Sequence, residues 1–310
     1  MLQILVTLAL IAWLAHQADW ASVGSLLRNV QPVLILGAFV SLLASHGINV
    51  VRWRYLLDRP DIRFANLLRS YTIGLFANNF LPTGIGGDGV RVALLRQRVA
   101  LGRAMFSVVA DRGIGLVAIS AIMLVGLWAG LPPGFQEAEW QQLQAMNGGL
   151  RLALFAAVAA LLLLAALLAW RMPQMRNWAM QRTAAWQLPE WGIGEWLRRM
   201  AVAYGISVGA HLCIVAATGM VLAALHVNVP LAASIWLVVL SSLSLLVPVT
   251  VNGMGIVESV YVLVLSSYGV APTIGLSAAL IVRVVALLIS LSGGIWMLDQ
   301  RFGNFRSAVE

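Results

Sequence analysis

Lysine is missing from the 310 residues; all twenty basic side chains are arginine, a bias that codon usage in a GC-rich genome would produce by itself. Charge of either sign is scarce. Only 10% of residues are charged and 61% are hydrophobic, whereas a soluble domain carries roughly 25% charged residues. So little charge cannot cover a water-facing surface, and no polar stretch is long enough to fold as a separate catalytic domain. There is one cysteine, Cys213. That excludes a disulfide within the chain and a cysteine-based metal site. The histidines His16, His46, His211 and His226 show no HxxxH or HExxH spacing. P-loop, nucleophile-elbow and DxD patterns are missing, as are the clustered aspartates that hold a metal–diphosphate. The expectation is a non-enzyme without cofactor or metal.

What is present is apolar length. Runs near ~18 residues or longer are membrane-span candidates, and Leu150 to Trp170 reads LRLALFAAVAALLLLAALLAW. The expected spans are Leu2 to Ala15, Pro32 to Val51, Ala104 to Leu131, Leu150 to Trp170, Met200 to Leu225 and Thr273 to Leu298. The first is a retained span rather than a signal peptide, because no basic residue precedes it and no good cleavage site follows. Two further segments, Leu231 to Val249 and Ile256 to Tyr268, are broken by Pro and Gly. Phe64 to Leu81 is moderately apolar and leads to an arginine-studded helix, Asp88 to Arg103. The fold class is all-α, a polytopic transmembrane bundle of about seven or eight membrane segments with re-entrant or broken helices, forming one integral membrane domain over 1–310.

Arginine placement orients the bundle. Arginines crowd between the second and third spans, from Arg52 to Arg103. More lie between the fourth and fifth, from Arg171 to Arg199, and Arg301 and Arg306 follow the last. The loop after the third span carries Glu137 and Glu139 instead. Both termini are therefore expected in the cytoplasm, in a bacterial inner membrane. The net charge of +8 sits in loops, where it serves topology and anionic lipid headgroups; nucleic acid is not an expected partner. Since Val51 and Ala104 fall on one side, the segment between them crosses an even number of times or not at all, which a re-entrant hairpin fits. The tryptophans Trp178, Trp186, Trp191 and Trp196 form either an interfacial amphipathic helix or an ordinary aromatic belt.

Two interrupted stretches echo each other. Leu81-Pro82-Thr83-Gly84-Ile85-Gly86-Gly87-Asp88 and Pro248-Val249-Thr250-Val251-Asn252-Gly253-Met254-Gly255-Ile256-Val257-Glu258 each run from a proline through glycines to a carboxylate. An arginine inside an apolar span follows each, Arg112 and Arg283. Half-repeats over 32–131 and 200–298, linked by 132–199, would be inverted copies, because the third span runs outward and the last inward. Paired broken segments in two halves point to a binding site near the midplane.

The polar residues inside the spans are the site candidates. Arg283 either binds a lipid phosphate or bridges to Glu258, since a lone charge at a helix centre costs at least about 2.5–3.5 kcal/mol on insertion scales. Asp111 and Arg112 are either an interfacial pair with Arg112 snorkelling, or a phosphate clamp oriented by Asp111. Asp88 and Arg91 open a helix after Gly86 and Gly87, where converging amides favour an anion; Asp88 alternatively caps that helix. Glu258, like Asp88 and Asp111, is a proton- or cation-coupling site or the partner of an arginine. Asn78 and Asn79 join the headgroup set. Pro82, Gly84, Gly86, Gly87, Pro248, Asn252, Gly253 and Gly255 supply the broken-helix backbone.

With these residues in view, the chain resembles the lysylphosphatidylglycerol synthase transmembrane-region family, also called the flippase-like domain family. The likeness rests on Arg52-Trp53-Arg54-Tyr55-Leu56-Leu57, on Asn78-Asn79-Phe80-Leu81-Pro82 through Gly86-Gly87-Asp88-Gly89-Val90-Arg91, on Ser107 to Leu116 with Asp111-Arg112, and on Pro248 to Glu258 with Gly293-Gly294. The resemblance implies a membrane domain that moves lipids between leaflets. In the family's namesake, the multiple peptide resistance factor, this domain is joined to a cytoplasmic aminoacyl transferase domain. These residues show no counterpart of it, so lysyl transfer from tRNA is not expected of them. The expected function is a flippase or scramblase for an anionic phospholipid or a polyprenyl-phosphate-linked lipid, with membrane lipids as partners. The alternative is a non-catalytic membrane partner of an envelope glycosyltransferase or lipid-modifying enzyme.

Overall fold

The computed structural model describes residues 6, 7, 10, 20–79, 81, 86–133, 191–245 and 250–306. Most of the expected first span, all of Leu150 to Trp170, and Trp178 and Trp186 lie outside the described residues. Within them every regular element is helical. The order is α1 (Trp20–Arg28), α2 (Pro32–Leu57), α3 (Phe64–Asn78), α4 (Gly86–Leu95), α5 (Leu101–Ala129), α6 (Ile193–Ala224), α7 (Leu231–Ser244), a 3-10 turn (Val251–Gly253), α8 (Ile256–Ser267) and α9 (Pro272–Arg306).

Among the described residues, four helices are long and apolar enough to cross a membrane: α2, α5, α6 and Pro272–Leu298 of α9. Proline at the start of α2 is preset for helical φ and gives up an amide that the first turn leaves unpaired anyway. The expected end of that span, Val51, falls one and a half turns short. The helix continues to Leu57 and stops at Asp58, which takes a left-handed conformation (φ 53°). Arg52, expected in a loop, therefore lies inside α2 and is buried. Large apolar side chains face outward along the long helices, among them Val33, Val40, Val109, Val117, Trp128 and Ile295, as a lipid-facing surface requires.

α2 and α6 run antiparallel along their whole length. The Gln31 amide donates to the Ala224 carbonyl (3.2 Å), Ser41 Oγ donates to the Cys213 carbonyl (2.8 Å), and Arg199 donates to the Tyr55 carbonyl (3.2 Å). At the arginine-rich end, Asp58 accepts from Trp191 Nε1 (2.9 Å) and pairs with Arg199 (2.9 Å).

The five remaining described helices, of which α1 has 9 residues, are too short to cross. α3, α4, α7 and α8 have 15, 10, 14 and 12 residues, hence roughly 15–22 Å each, against a hydrocarbon core of ~30 Å. α3 and α4 lie side by side and antiparallel. A methyl group at Gly87 would come within 2.2 Å of the Gly74 carbonyl oxygen, and one at Gly74 within 2.7 Å of Arg91 Cγ. The pair is a re-entrant hairpin that leaves α2 and enters α5 at the same end. α7 follows α6 at the opposite end of the bundle. α9 descends antiparallel to α3, with Asn79 bonded to Ser290 and Arg69 to the Trp296 carbonyl, so it too starts at that opposite end. α7 and α8, packed together, thus enter and leave by the opposite end. The two hairpins meet inside the bundle, where Asn252 Nδ2 donates to Asn79 Oδ1 (2.8 Å).

Glycines set how closely the hairpins dock. A Cβ at Gly293 of α9 would lie 2.0 Å from the Thr72 carbonyl oxygen of α3, and one at Gly126 of α5 would lie 2.9 Å from Ile235 of α7. Gly293→Ala forces α3 off α9 and is expected to destabilise by about 1–3 kcal/mol, as overpacking does. Gly113→Ala, with nothing within 4 Å, is expected to leave the melting midpoint of the detergent-solubilised protein unchanged. Equal midpoints for the two variants would contradict the close contact.

Candidate functional site

Along α5 the buried positions Ala104, Ser107, Val108, Asp111, Ile114 and Ala118 recur at helical spacing, so Asp111 occupies a core-facing place among small and apolar neighbours. A buried carboxylate requires cations or donors within reach. Arg52 from α2 supplies one, Nε to Oδ1 at 2.7 Å, and Arg91 from α4 supplies the other, Nη2 to Oδ2 at 3.2 Å. Arg91 also reaches Asp88 Oδ1 (3.2 Å), and Arg112 Nε holds Asp88 Oδ2 (2.6 Å). Every carboxylate oxygen of the two aspartates thus has a guanidinium partner.

Arg91 is clamped from its faces as well, 4.1 Å from the Trp53 ring and 4.9 Å from the Tyr71 ring. Both rings are fixed in turn. Trp53 Nε1 donates to Ser107 Oγ (3.0 Å), and the Tyr71 hydroxyl sits 3.5 Å from His46 Nδ1. Arg52 gains a second anchor in Ser207 Oγ of α6.

This network forms one wall of a cavity of about 360 Å³ between the hairpins and the long helices. Asn49, Asn78, His211, Thr250, Asn252 and Gly253 contribute to the remaining wall. Charged side chains in the lining are Arg52, Arg91 and Arg112 against Asp88 and Asp111, so the cavity carries one positive charge in excess. The members differ in exposure. The side chains of Arg52, Arg91 and Asp111 are at most 7% exposed, whereas that of Arg112 is 53% exposed. The Thr250 hydroxyl is buried in the wall and has no hydrogen-bond partner among the described residues.

The second hairpin is closed by a different arrangement. Asn252 (φ 48°), Gly253 (φ 67°) and Gly255 (φ 86°) carry the chain through left-handed turns. Glu258 accepts from the Gly255 amide (2.8 Å) and from Arg283 Nε. Arg283 also reaches the carbonyls of Asn252 (3.5 Å) and Gly253 (3.4 Å). On the first hairpin, Asn78 Oδ1 accepts from the Gly87 amide (2.7 Å).

Of the residues singled out from sequence, Asn78, Asp88, Arg91, Asp111, Arg112, Asn252 and Gly253 line the cavity together. Arg283 and Glu258 pair with each other behind Asn252 and Gly253. Asn79 bridges Ser290 and Asn252, while Gly86, Gly87 and Gly255 shape the helix starts. Pro82, Gly84 and Pro248 lie outside the described residues. Sequence reasoning passed over Arg52, Tyr71, Ser207, His211 and Thr250. The available signal for Arg52 was its helical spacing from Ile48 and Leu56, which puts it on an apolar face.

A multi-pass helical membrane protein with a charged cavity between two half-span hairpins is the class these features define. The chain matches the family described as lysylphosphatidylglycerol synthase TM region over residues 1–293, and it belongs to that family. No curated protein and no solved structure matches it. The family is that of a membrane domain connected with lipids.

Removing Asp111 leaves Arg52 and Arg91 buried with fewer partners. Asp111→Ala is expected to destabilise by about 3–5 kcal/mol, the usual result of orphaning a buried charge. The control is Asp61, an exposed loop residue whose carboxyl Arg59 holds below the usual carboxylate range through a hydrogen bond. Asp61→Ala is expected to leave the melting midpoint where it was. A stable, normally folded Asp111→Ala would contradict the network's structural role.

Proposed function

We propose that the protein carries an anionic lipid between the leaflets of a bacterial inner membrane. The phosphate headgroup passes through the cavity while the hydrocarbon chains stay in the bilayer. The supporting observation is the position of Arg112. It lies eleven residues into the 29-residue α5, about 16 Å along a helix of about 43 Å, so it stands inside the span rather than at its end. It lines the cavity, yet it is half exposed on the same side of the helix as the outward-facing Val109 and Leu116. A half-exposed guanidinium at that depth needs an anion or water, and one that borders both cavity and bilayer meets a headgroup arriving sideways.

The remaining parts fit the same task. The excess positive charge suits one phosphodiester anion. Arginine keeps its charge at any physiological pH and forks onto two phosphate oxygens. The Thr250 hydroxyl offers one more bond across the cavity. The arginine-rich end, with Arg54, Arg59, Arg63, Arg96, Arg98 and Arg103, is the cytoplasmic end by the positive-inside rule. The role is carriage without covalent change to the lipid.

The test is dithionite quenching of fluorescent anionic and zwitterionic lipids in proteoliposomes. The wild-type protein is expected to expose inner-leaflet anionic lipid faster than the zwitterionic one. Arg112→Ala is expected to lower the anionic rate by about tenfold or more, as loss of a charge-assisted bond worth roughly 1.5–3 kcal/mol implies. An unchanged rate in a well-folded Arg112→Ala protein would refute the role of this residue.

A further inference from the structure

Helix lengths repeat along the chain. Long α2, short α3, short α4 and long α5 are followed by long α6, short α7, short α8 and long α9. Packing repeats with them. α3 docks on α9 as α7 docks on α5, α4 lies on α5 as α8 lies on α9, and α2 touches α5 as α6 touches α9. α2 and α6 pair with each other and are antiparallel, so the operation that exchanges the halves also turns them over.

The ion pairs obey the same register. Asp88 is the third residue of α4, and Glu258 is the third of α8. Arg112 and Arg283 are each the twelfth residue of the long helix that follows. Only their states differ. Arg112 is 53% exposed and lines the cavity, whereas Arg283 is 18% exposed and is held by Glu258 and two backbone carbonyls. Two inverted halves built from the same parts, one open and one shut, have a counterpart state in which the roles are exchanged.

We infer that Arg283 and Glu258 form a second phosphate site, shut in this structure, which opens toward the opposite leaflet as the Asp88–Arg112 site shuts. The inference rests on the lipid-carrying reading for its ligand, though not for the motion. The bonds from Asn79 to Asn252 and Ser290 join the first hairpin to the other half, and the exchange must break them.

Two reporter cysteines in a Cys213→Ser background test this. Leu116→Cys and Leu287→Cys each lie one turn beyond the arginine of their half, and both are probed with a membrane-impermeant thiol reagent applied to each face of the membrane in turn. The wild-type tips are expected to allow fast labelling at 116 and slow labelling at 287. Asn79→Ala removes both bonds and is expected to change the two rates in opposite directions, slower at 116 and at least about fivefold faster at 287, given ~1 kcal/mol for a hydrogen bond. Ser290→Ala, which removes one bond, gives the same pattern at smaller amplitude. Absence of labelling at 287 in all forms, or rates that rise together, would overturn the second site. If the rates move reciprocally but no anionic lipid is carried, the exchange stands and the lipid reading fails. If lipid is carried with no labelling at 287, the reverse holds.

Discussion

Asp111 sits with its carboxylate inside an apolar helix bundle, and much of the arginine-rich half is arranged around that fact. An unpaired ion in such a place is prohibitively unfavourable. Arg52 and Arg91 must therefore converge on it from α2 and α4, and both are nearly buried themselves. Arg91 can do so only because Gly74 and Gly87 let α3 and α4 touch backbone to backbone. Trp53 and Tyr71 then close over its faces. One carboxylate thus fixes the position of a long helix and a half-span hairpin. A network of this kind adds little net stability over an apolar core, but it admits one arrangement rather than many.

The hairpins set a second constraint, because the helix ends beside their turns leave backbone groups that need partners inside the bundle. Such groups need partners within the protein or water in a cavity. Asn78 serves the Gly87 amide, Glu258 serves the Gly255 amide, and Arg283 serves the carbonyls of Asn252 and Gly253. Arg283 accordingly has a structural duty in this state, with its donors turned to the tip rather than to the cavity. Arg112 pairs with Asp88, and half of its side chain remains accessible. That difference is why the accessible charge in the cavity belongs to the first half of the chain.

Much of this was legible in the sequence. Apolar length located α2, α5, α6 and α9, and arginine asymmetry placed both ends of α3–α4 on one side, which is the hairpin found. Gly86 and Gly87 lie at the start of α4, and Asn252, Gly253 and Gly255 take positive φ where the second hairpin turns. Arg52 was not legible as a site residue, because hydropathy ends a span at the first charge, and only the helix continuing to Leu57 carries that charge inward. Ser207 and Thr250 look like ordinary small residues in apolar runs. Their roles come from α6 lying antiparallel to α2 and from the second tip turning into the cavity, and neither is encoded in local spacing. The pairing of Arg112 with Asp88 rather than with its neighbour Asp111 follows from helix geometry, because adjacent residues point to different faces.

The central claim is that an anionic headgroup enters the cavity at Arg112. The most direct measurement is a cryo-electron microscopy structure of the protein in nanodiscs rich in anionic phospholipid. The account predicts headgroup density inside the cavity, with the phosphate within hydrogen-bonding distance of Arg112 and chains leaving past Leu116 into the bilayer. A cavity containing only water at a resolution that shows ordered lipids around the bundle would contradict it.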